Sequence, residues 1–153
     1  MGVSTDGQLS FGVTFEEGFE FPWDFDHNGD IESWWLDVRG FLPSVPRPWT
    51  KDGDYAPGFI KSDPRITEWL SQKSTWLKAN PIPVEVVNYC SGDYPLYLLA
   101  TRHTENYRGY PKKIDPHAML DTRRDAERLK KFMDEWGIEN DQEPAWWLSS
   151  YWG

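Results

Sequence analysis

Three places along the chain carry residues whose types and spacing could support chemistry, and the first resembles a calcium loop. Its oxygen ligands would come from Asp24, Asp26, Asn28 and Asp30. Gly29 follows at the position where such a loop turns sharply, but Trp35 stands where a bidentate Glu should close it. Because calcium takes about six to eight oxygen ligands, this set is incomplete. A turn with helix-capping aspartates is the favoured interpretation, and no metal is predicted.

The second place is Cys90, which ends a predicted strand. A nucleophilic thiol needs a nearby base, and the sequence does not place His27, His103 or His117 beside it. The chain has one cysteine, so an internal disulfide is excluded. It contains no Gly-rich phosphate loop, no Gly-x-Ser-x-Gly and no His-Glu-x-x-His. The sequence therefore predicts no catalytic residue, no cofactor and no enzyme.

The third place is a polar segment at residues 102–116, predicted as a loop. Its basic side chains are Arg102, Arg108, Lys112 and Lys113. Guanidinium and ammonium groups hold anions, so this loop supports an alternative hypothesis of a small enzyme or nucleotide-ligand-binding protein. A solvated basic loop without a ligand is the competing interpretation.

The elements that must position these residues follow from periodicity and caps. Strands are predicted at 8–15, 83–90 and 94–101, the last two as a hairpin. Helices are predicted at 30–38, from Pro64 to Asn80 and, as the longest, at 117–136. An irregular Pro/Gly loop at 41–58 and an aromatic tail at 144–153 complete the chain. The expected fold is α+β, a small antiparallel sheet covered by about three helices, in a single domain of 153 residues.

Charge is distributed unevenly along this chain. Sixteen Lys and Arg against 25 Asp and Glu give a net charge of −9. Residues 1–54 hold eleven acidic and three basic side chains, a net −8. A surface of one sign attracts partners of the other, so the expected partner is a basic protein surface. Direct nucleic-acid binding is not expected, and no apolar run is long enough to span a bilayer, so no membrane partner is expected.

An acidic aromatic segment at residues 16–37 concentrates this charge. Between Phe19 and Asp26, aromatic side chains alternate with carboxylates around Pro22. If this stretch is extended, alternate residues lie about 6.8 Å apart, close to two nucleotide steps of a DNA strand, as in a nucleic-acid mimic. The predicted partner-binding residues are Glu16, Glu17, Glu20, Trp23, Asp24, Phe25, Asp26, Asp30 and Glu32. An acidic solvent face over a buried aromatic face, serving solubility, is the alternative.

Four stretches carry a resemblance to a known family. They read GQLSFGVTFEEGFEFPW, VEVVNYCSGDYPLYLLA, RGYPKKID and WWLSSYWG. In these the chain resembles a family of small bacteriophage-encoded accessory proteins of unassigned activity, so no catalytic residue is carried over. The resemblance implies expression in a bacterial host cytoplasm, and a role in binding and inhibiting host factors such as restriction or CRISPR machinery.

Charge and resemblance together lead to one functional hypothesis. The chain is predicted to be a phage accessory protein that inhibits a host defence or nucleic-acid-handling protein through its acidic aromatic surface. The N-terminal residues lack the features of a signal peptide, which fits the cytoplasmic location. The sequence makes no prediction of oligomeric state.

Overall fold

The computed structural model describes residues 5–152, which hold four strands and four α-helices. The strands are β1 (Thr5–Thr14), β2 (Glu85–Ser91), β3 (Pro95–Asn106) and β4 (Ala145–Trp152). The helices are α1 (Pro22–Asp26), α2 (Ile31–Val38), α3 (Pro64–Ala79) and α4 (Arg123–Trp136), with a short 3₁₀ helix at Pro116–Met119. The predicted α+β class is confirmed.

The chain divides into two compact units. The barrel unit consists of residues 5–20 and 83–152 and holds all four strands with α4. The helical unit consists of residues 21–82 and holds α1, α2 and α3. No helix among the described residues is both long and apolar enough to cross a bilayer.

The strands of the barrel unit pair in the order β1-β3-β2-β4, and β4 returns to β1 to close the barrel. The β2–β3 hairpin is antiparallel as predicted. The expectation of a purely antiparallel sheet is wrong, because β2 and β4 pair in parallel where Cys90 faces Tyr151. The sheet is therefore mixed.

Strand β4 lies in the segment that was predicted only as an aromatic tail. Trp147 and Tyr151 point to one face of the strand, while Trp146 and Leu148 point to the other. Large apolar residues on both faces remove the alternation by which a strand is recognised, so the pattern did not reveal it.

A β-bulge at Thr101 decides which side chains of β3 enter the barrel. Phe11 pairs with Arg102 and Gly12 pairs with Ala100, so Thr101 has no partner on β1. Since one extra residue reverses the alternation beyond it, His103 follows Ala100 on the inner face. Without the bulge, Arg102 would lie there instead.

The two faces of the barrel wall have different cores. Inside, Val87, Leu98 and Ala100 form a buried apolar cluster. Outside, helix α4 packs on β3 and β1 with three buried apolar side chains, Leu129, Phe132 and Met133. Removing such apolar area from water is the main stabilising term for a unit of this size.

The predicted long helix at 117–136 is divided into two pieces. Asp115 caps the 3₁₀ helix by accepting the backbone N–H of His117 at 2.9 Å. The α-helix begins only at Arg123, and Gly137 ends it in the left-handed conformation at φ 65°. The predicted start is therefore wrong and the predicted end is confirmed, because only glycine takes that backbone conformation without strain.

The helical unit is organised around stacked aromatic side chains. Trp23 stacks on Phe21 at 4.8 Å between ring centroids and meets Trp34 at 5.2 Å. Trp69 of α3 packs edge-on against Phe41 and Trp49. These contacts hold the long irregular loop at 41–58 against α3.

The helical unit offers a pH test at the start of α3. Asp63 caps the helix through the N–H of Arg65 at 2.9 Å, and the hydrogen bond from the Arg65 side chain lowers the pKa of Asp63 below its ordinary 3.8. A lowered pKa stabilises the fold above the ordinary value, and this stabilisation is lost as pH falls through the lowered value. We expect Asp63→Asn to be less stable than wild type at neutral pH. Urea unfolding between pH 7 and pH 3 should show that difference shrinking.

The control for this prediction is Asp52→Asn, an exposed acid outside any helix cap. Its difference from wild type should stay small at every pH. If the stability difference between Asp63→Asn and wild type stayed constant across this pH range, the role assigned to the hydrogen bond between Arg65 and the Asp63 carboxylate would be contradicted.

Candidate functional site: an acidic end of the barrel unit

The acidic aromatic segment does not form one surface within one unit. Glu16, Glu17 and Glu20 belong to the barrel unit, while residues 21–37 belong to the helical unit. All three glutamates are exposed. The predicted contact surface is therefore divided between two bodies.

The predicted extended conformation of this segment is wrong. Pro22 occupies the first position of α1. Proline is tolerated there, because a backbone N–H at this position would have no hydrogen-bond partner within the helix. Residues 22–26 are helical, so their side chains do not alternate at strand spacing and cannot follow the phosphates of one DNA strand. This removes the spacing argument for nucleic-acid mimicry.

Trp23 is not available as a partner anchor, because it is only 1% exposed. Its ring forms the aromatic core of the helical unit described above. Phe25, by contrast, is 69% exposed. The prediction for Trp23 is corrected, whereas Phe25 stands at the surface as expected.

The other predicted contact residues have local tasks in the helical unit. Asp24 accepts the N–H of Phe21 at 2.6 Å, and Asp30 caps α2 by accepting the N–H of Glu32 at 3.0 Å. The other two form ion pairs, Asp26 with Lys51 at 3.7 Å and Glu32 with Lys73. The unit has nine acidic and seven basic side chains, a net −2, so its carboxylates are largely balanced.

The incomplete calcium loop does not gather its oxygens. Asp24 and Asp30 accept the backbone N–H groups named above, and the side-chain amide of Asn28 donates to the Lys51 carbonyl at 2.8 Å. No group of three or more His, Cys, Asp or Glu side chains able to hold a metal ion occurs between residues 5 and 152. The turn-and-cap interpretation describes this segment.

The barrel unit carries most of the net charge, with sixteen acidic and nine basic side chains and a net −7. Part of it collects where β1 ends. The amide of Asn140 donates to the Thr14 carbonyl at 2.8 Å, and Gln142 accepts the Thr14 hydroxyl at 3.0 Å. These bonds hold the segment 139–143 beside the start of the segment 16–20.

We call the resulting surface the acidic end. Its residues are Glu16, Glu17, Glu20, Asp134, Glu139 and Asp141, all exposed. None of the six pairs with a Lys or Arg within residues 5–152, whereas neighbouring Glu143 pairs with Lys130 at 2.9 Å. The first three lie in the predicted contact segment, whereas the other three were not predicted, because no local pattern shows that residues 139–143 meet Thr14.

A cavity of about 590 Å³ lies at the acidic end. Its buried apolar lining comes from Val13, Met133 and Ile138. Asp134, Glu139 and Asp141 also line it, together with Lys130, which is paired with Glu143. An apolar floor with carboxylates around it matches the aliphatic stem and charged head of a Lys or Arg side chain.

The predicted basic loop is not a free anion site. Residues 102–106 belong to β3, and Arg102 donates to Asp125 at 2.7 Å and to the Asp121 carbonyl at 2.7 Å. Lys112 donates to the Thr104 hydroxyl and the Glu105 carbonyl. Arg108 and Lys113 are exposed. With Arg102 committed to internal bonds, the geometry does not favour the nucleotide-binding alternative.

The barrel interior contains a hydrogen-bonded chain that the sequence did not reveal. His103 Nδ1 lies 2.8 Å from Ser10 Oγ, and its Nε2 lies 3.2 Å from Glu105 Oε1. A hydroxyl, an imidazole and a carboxylate in sequence can activate a nucleophile. Ser10, however, is 0% exposed, so no substrate reaches it. We therefore assign these hydrogen bonds a structural role inside the barrel.

Gln8 bridges the barrel where β2 and β4 do not pair. Its Nε2 donates to the Asn88 carbonyl at 3.2 Å, and its Oε1 accepts from Ser149 Oγ at 3.2 Å. A buried polar side chain is tolerated when both its groups are bonded. Gln8 therefore joins the two strands across the gap.

Cys90 is exposed at the end of β2, with a positive φ of 79°. Burial, with a smaller contribution from Cys90, raises the pKa of the adjacent Tyr89. In the described part of the chain no hydrogen bond joins Cys90 to a histidine. The structure thus supplies no base for a nucleophilic role.

Comparison with known proteins gives no relative from which a function could be transferred. No family model, curated protein or solved structure matches this chain. The candidate site therefore depends on its own geometry and charge.

Proposed function

We propose that this chain is a binding protein for a basic protein surface, and that the acidic end is its contact surface. The observation that carries the proposal is the pair of bonds from Thr14 to Asn140 and Gln142. They bring two acidic segments together on a unit of net charge −7. Unpaired carboxylates keep their attraction for an incoming cation, since the neighbouring Lys130 is already paired with Glu143.

The cavity suggests how such a partner is held. A Lys or Arg side chain of the partner places its stem over Val13, Met133 and Ile138 and its charge among the carboxylates of the rim. Other cations of the partner pair with Glu16, Glu17 and Glu20. Charged contacts of this exposed kind raise the association rate and weaken with salt.

The resemblance to phage accessory proteins supplies the partner class for this proposal. Proteins of host defence that handle nucleic acids have basic grooves, since they must neutralise phosphates. We propose such a groove as the target, with inhibition following from its occupation. Mimicry of phosphate spacing is not part of the proposal.

The test compares two variants with equal net charge. One variant combines Glu16→Lys, Glu17→Lys and Asp141→Lys in the acidic end. The matched control combines Asp93→Lys, Asp121→Lys and Glu127→Lys, exposed acids elsewhere on the barrel unit. Each protein is titrated with a fluorescent octalysine peptide, and then used to capture proteins from bacterial lysate at low and high ionic strength.

The acidic-end variant is expected to bind the peptide at least about tenfold more weakly than the control. Captured proteins should be retained by wild type and control, lost with the variant, and released by salt. Equal weakening in both variants would show a general charge effect and would contradict a defined surface.

A further inference from the structure

The outer wall of the barrel carries an apolar surface that α4 does not cover. Leu9 of β1 pairs with Leu148 of β4, and Trp146 lies two residues earlier on the same face of β4. Leu148 is 83% exposed although it lies in the middle of a strand. None of the described residues covers its side chain.

The segment leading into the 3₁₀ helix forms the other wall of this surface. Ile114 and Met119 line, with Leu9 and Trp146, a cavity of about 220 Å³. The Trp146 Nε1 donates to the Met119 carbonyl at 3.0 Å, which fixes the wall in place. Ile114 is 49% exposed and the adjacent Leu120 is 77% exposed.

We call this surface the apolar face, defined by Leu9, Ile114, Met119, Leu120, Trp146 and Leu148. Contiguous exposed apolar groups on a folded protein mark interaction sites. The charges beside it have both signs: Lys112, Lys113 and Asp115 line the same cavity, as does Arg102, which is paired with Asp125. A partner of one sign would leave one of these charges without a counterpart.

A second copy of the same chain matches this arrangement. In a two-fold contact each surface meets itself, so a lysine of one copy faces the aspartate of the other while the apolar centres join. We propose that the apolar face is the interface of a homodimer. This proposal uses none of the residues of the acidic end and does not depend on the proposed function.

Salt should affect the two kinds of binding in opposite directions. Two copies of net charge −9 repel each other. Salt screens this overall repulsion and also the few lysine–aspartate pairs of the interface, but it leaves apolar burial in force. Dimerisation is therefore expected to strengthen as ionic strength rises. Binding of a basic partner at the acidic end should weaken under the same conditions.

The experiment is sedimentation velocity of the full chain over a range of concentrations at low and high salt. Wild type should show a concentration-dependent dimer, and Leu148→Glu should weaken dimerisation at least about tenfold. Leu42→Glu is the matched control, since Leu42 is 92% exposed in the helical unit. It introduces the same charge and should dimerise like wild type.

The substituted side chain is exposed, so Leu148→Glu should keep the circular dichroism spectrum and melting temperature of wild type. If it does not fold, Leu120→Glu replaces it with the same expectation. A wild-type protein that remains monomeric at every concentration would overturn the proposal. A dimer that neither Leu148→Glu nor Leu120→Glu weakens would also overturn it.

Discussion

Gly12→Ala should destabilise the barrel by at least about 3 kcal/mol. Gly12 lies on β1 beside the bulge, opposite Ala100 of β3. A Cβ at this position would lie 1.8 Å from the Leu99 carbonyl oxygen and 2.9 Å from the Ala100 Cα. Both are backbone atoms within a paired strand, so they cannot move aside as a side-chain end would.

The same strand provides the matched control. A Cβ on Gly7 would meet only the Asn106 carbonyl oxygen at 3.9 Å, an ordinary contact distance. Gly7→Ala should therefore change the free energy of unfolding by less than about 1 kcal/mol. Urea denaturation followed by circular dichroism measures both variants. Equal stability of the two would show that β1 and β3 do not approach as described.

Asp125→Ala is expected to lower the free energy of unfolding by about 3 kcal/mol. Asp125 is 7% exposed and accepts from Arg102 at 2.7 Å and from Arg128 at 2.8 Å. Arg102 also donates to the Asp121 carbonyl, and Arg128 donates to the Thr101 carbonyl at the bulge. Removing the carboxylate leaves two guanidinium groups close together without their anion.

An exposed ion pair on the same helix, α4, provides the control for Asp125→Ala. Glu127 pairs with Arg123 at 3.0 Å, with side chains 63% and 88% exposed. Solvent screens such a pair, so Glu127→Ala should lower stability by less than about 1 kcal/mol. Chemical denaturation of both variants gives the comparison. A loss for Asp125→Ala as small as that for Glu127→Ala would contradict the importance of the buried network.

Local signals in the sequence were sufficient for much of the fold. Asp30 and Asp63 cap α2 and α3 and stand directly before the predicted helices, because a capping side chain acts only on the next turn. Gly137 ends α4 for an equally local reason. The β2–β3 hairpin also depends on neighbours in sequence.

The candidate site depends on contacts that local signals do not contain. The acidic end exists because Thr14 bonds to residues more than 120 positions away. The placement of His103 inside the barrel depends on a single bulge residue, Thr101, which reverses every later side chain of β3. Trp23 shows the same limit, since its acidic neighbours suggested exposure although α1 turns its ring into the core.

The pairing of β1 has a consequence for how the protein is made. Its two neighbours in the barrel lie at Leu98–Asn106 and Ala145–Trp152, so β1 leaves the ribosome long before either partner has been synthesised. Contacts between such distant segments form slowly, and an apolar strand left without neighbours attracts other chains. Nascent chains arrested before residue 145 should therefore retain chaperones, and release should coincide with the emergence of β4.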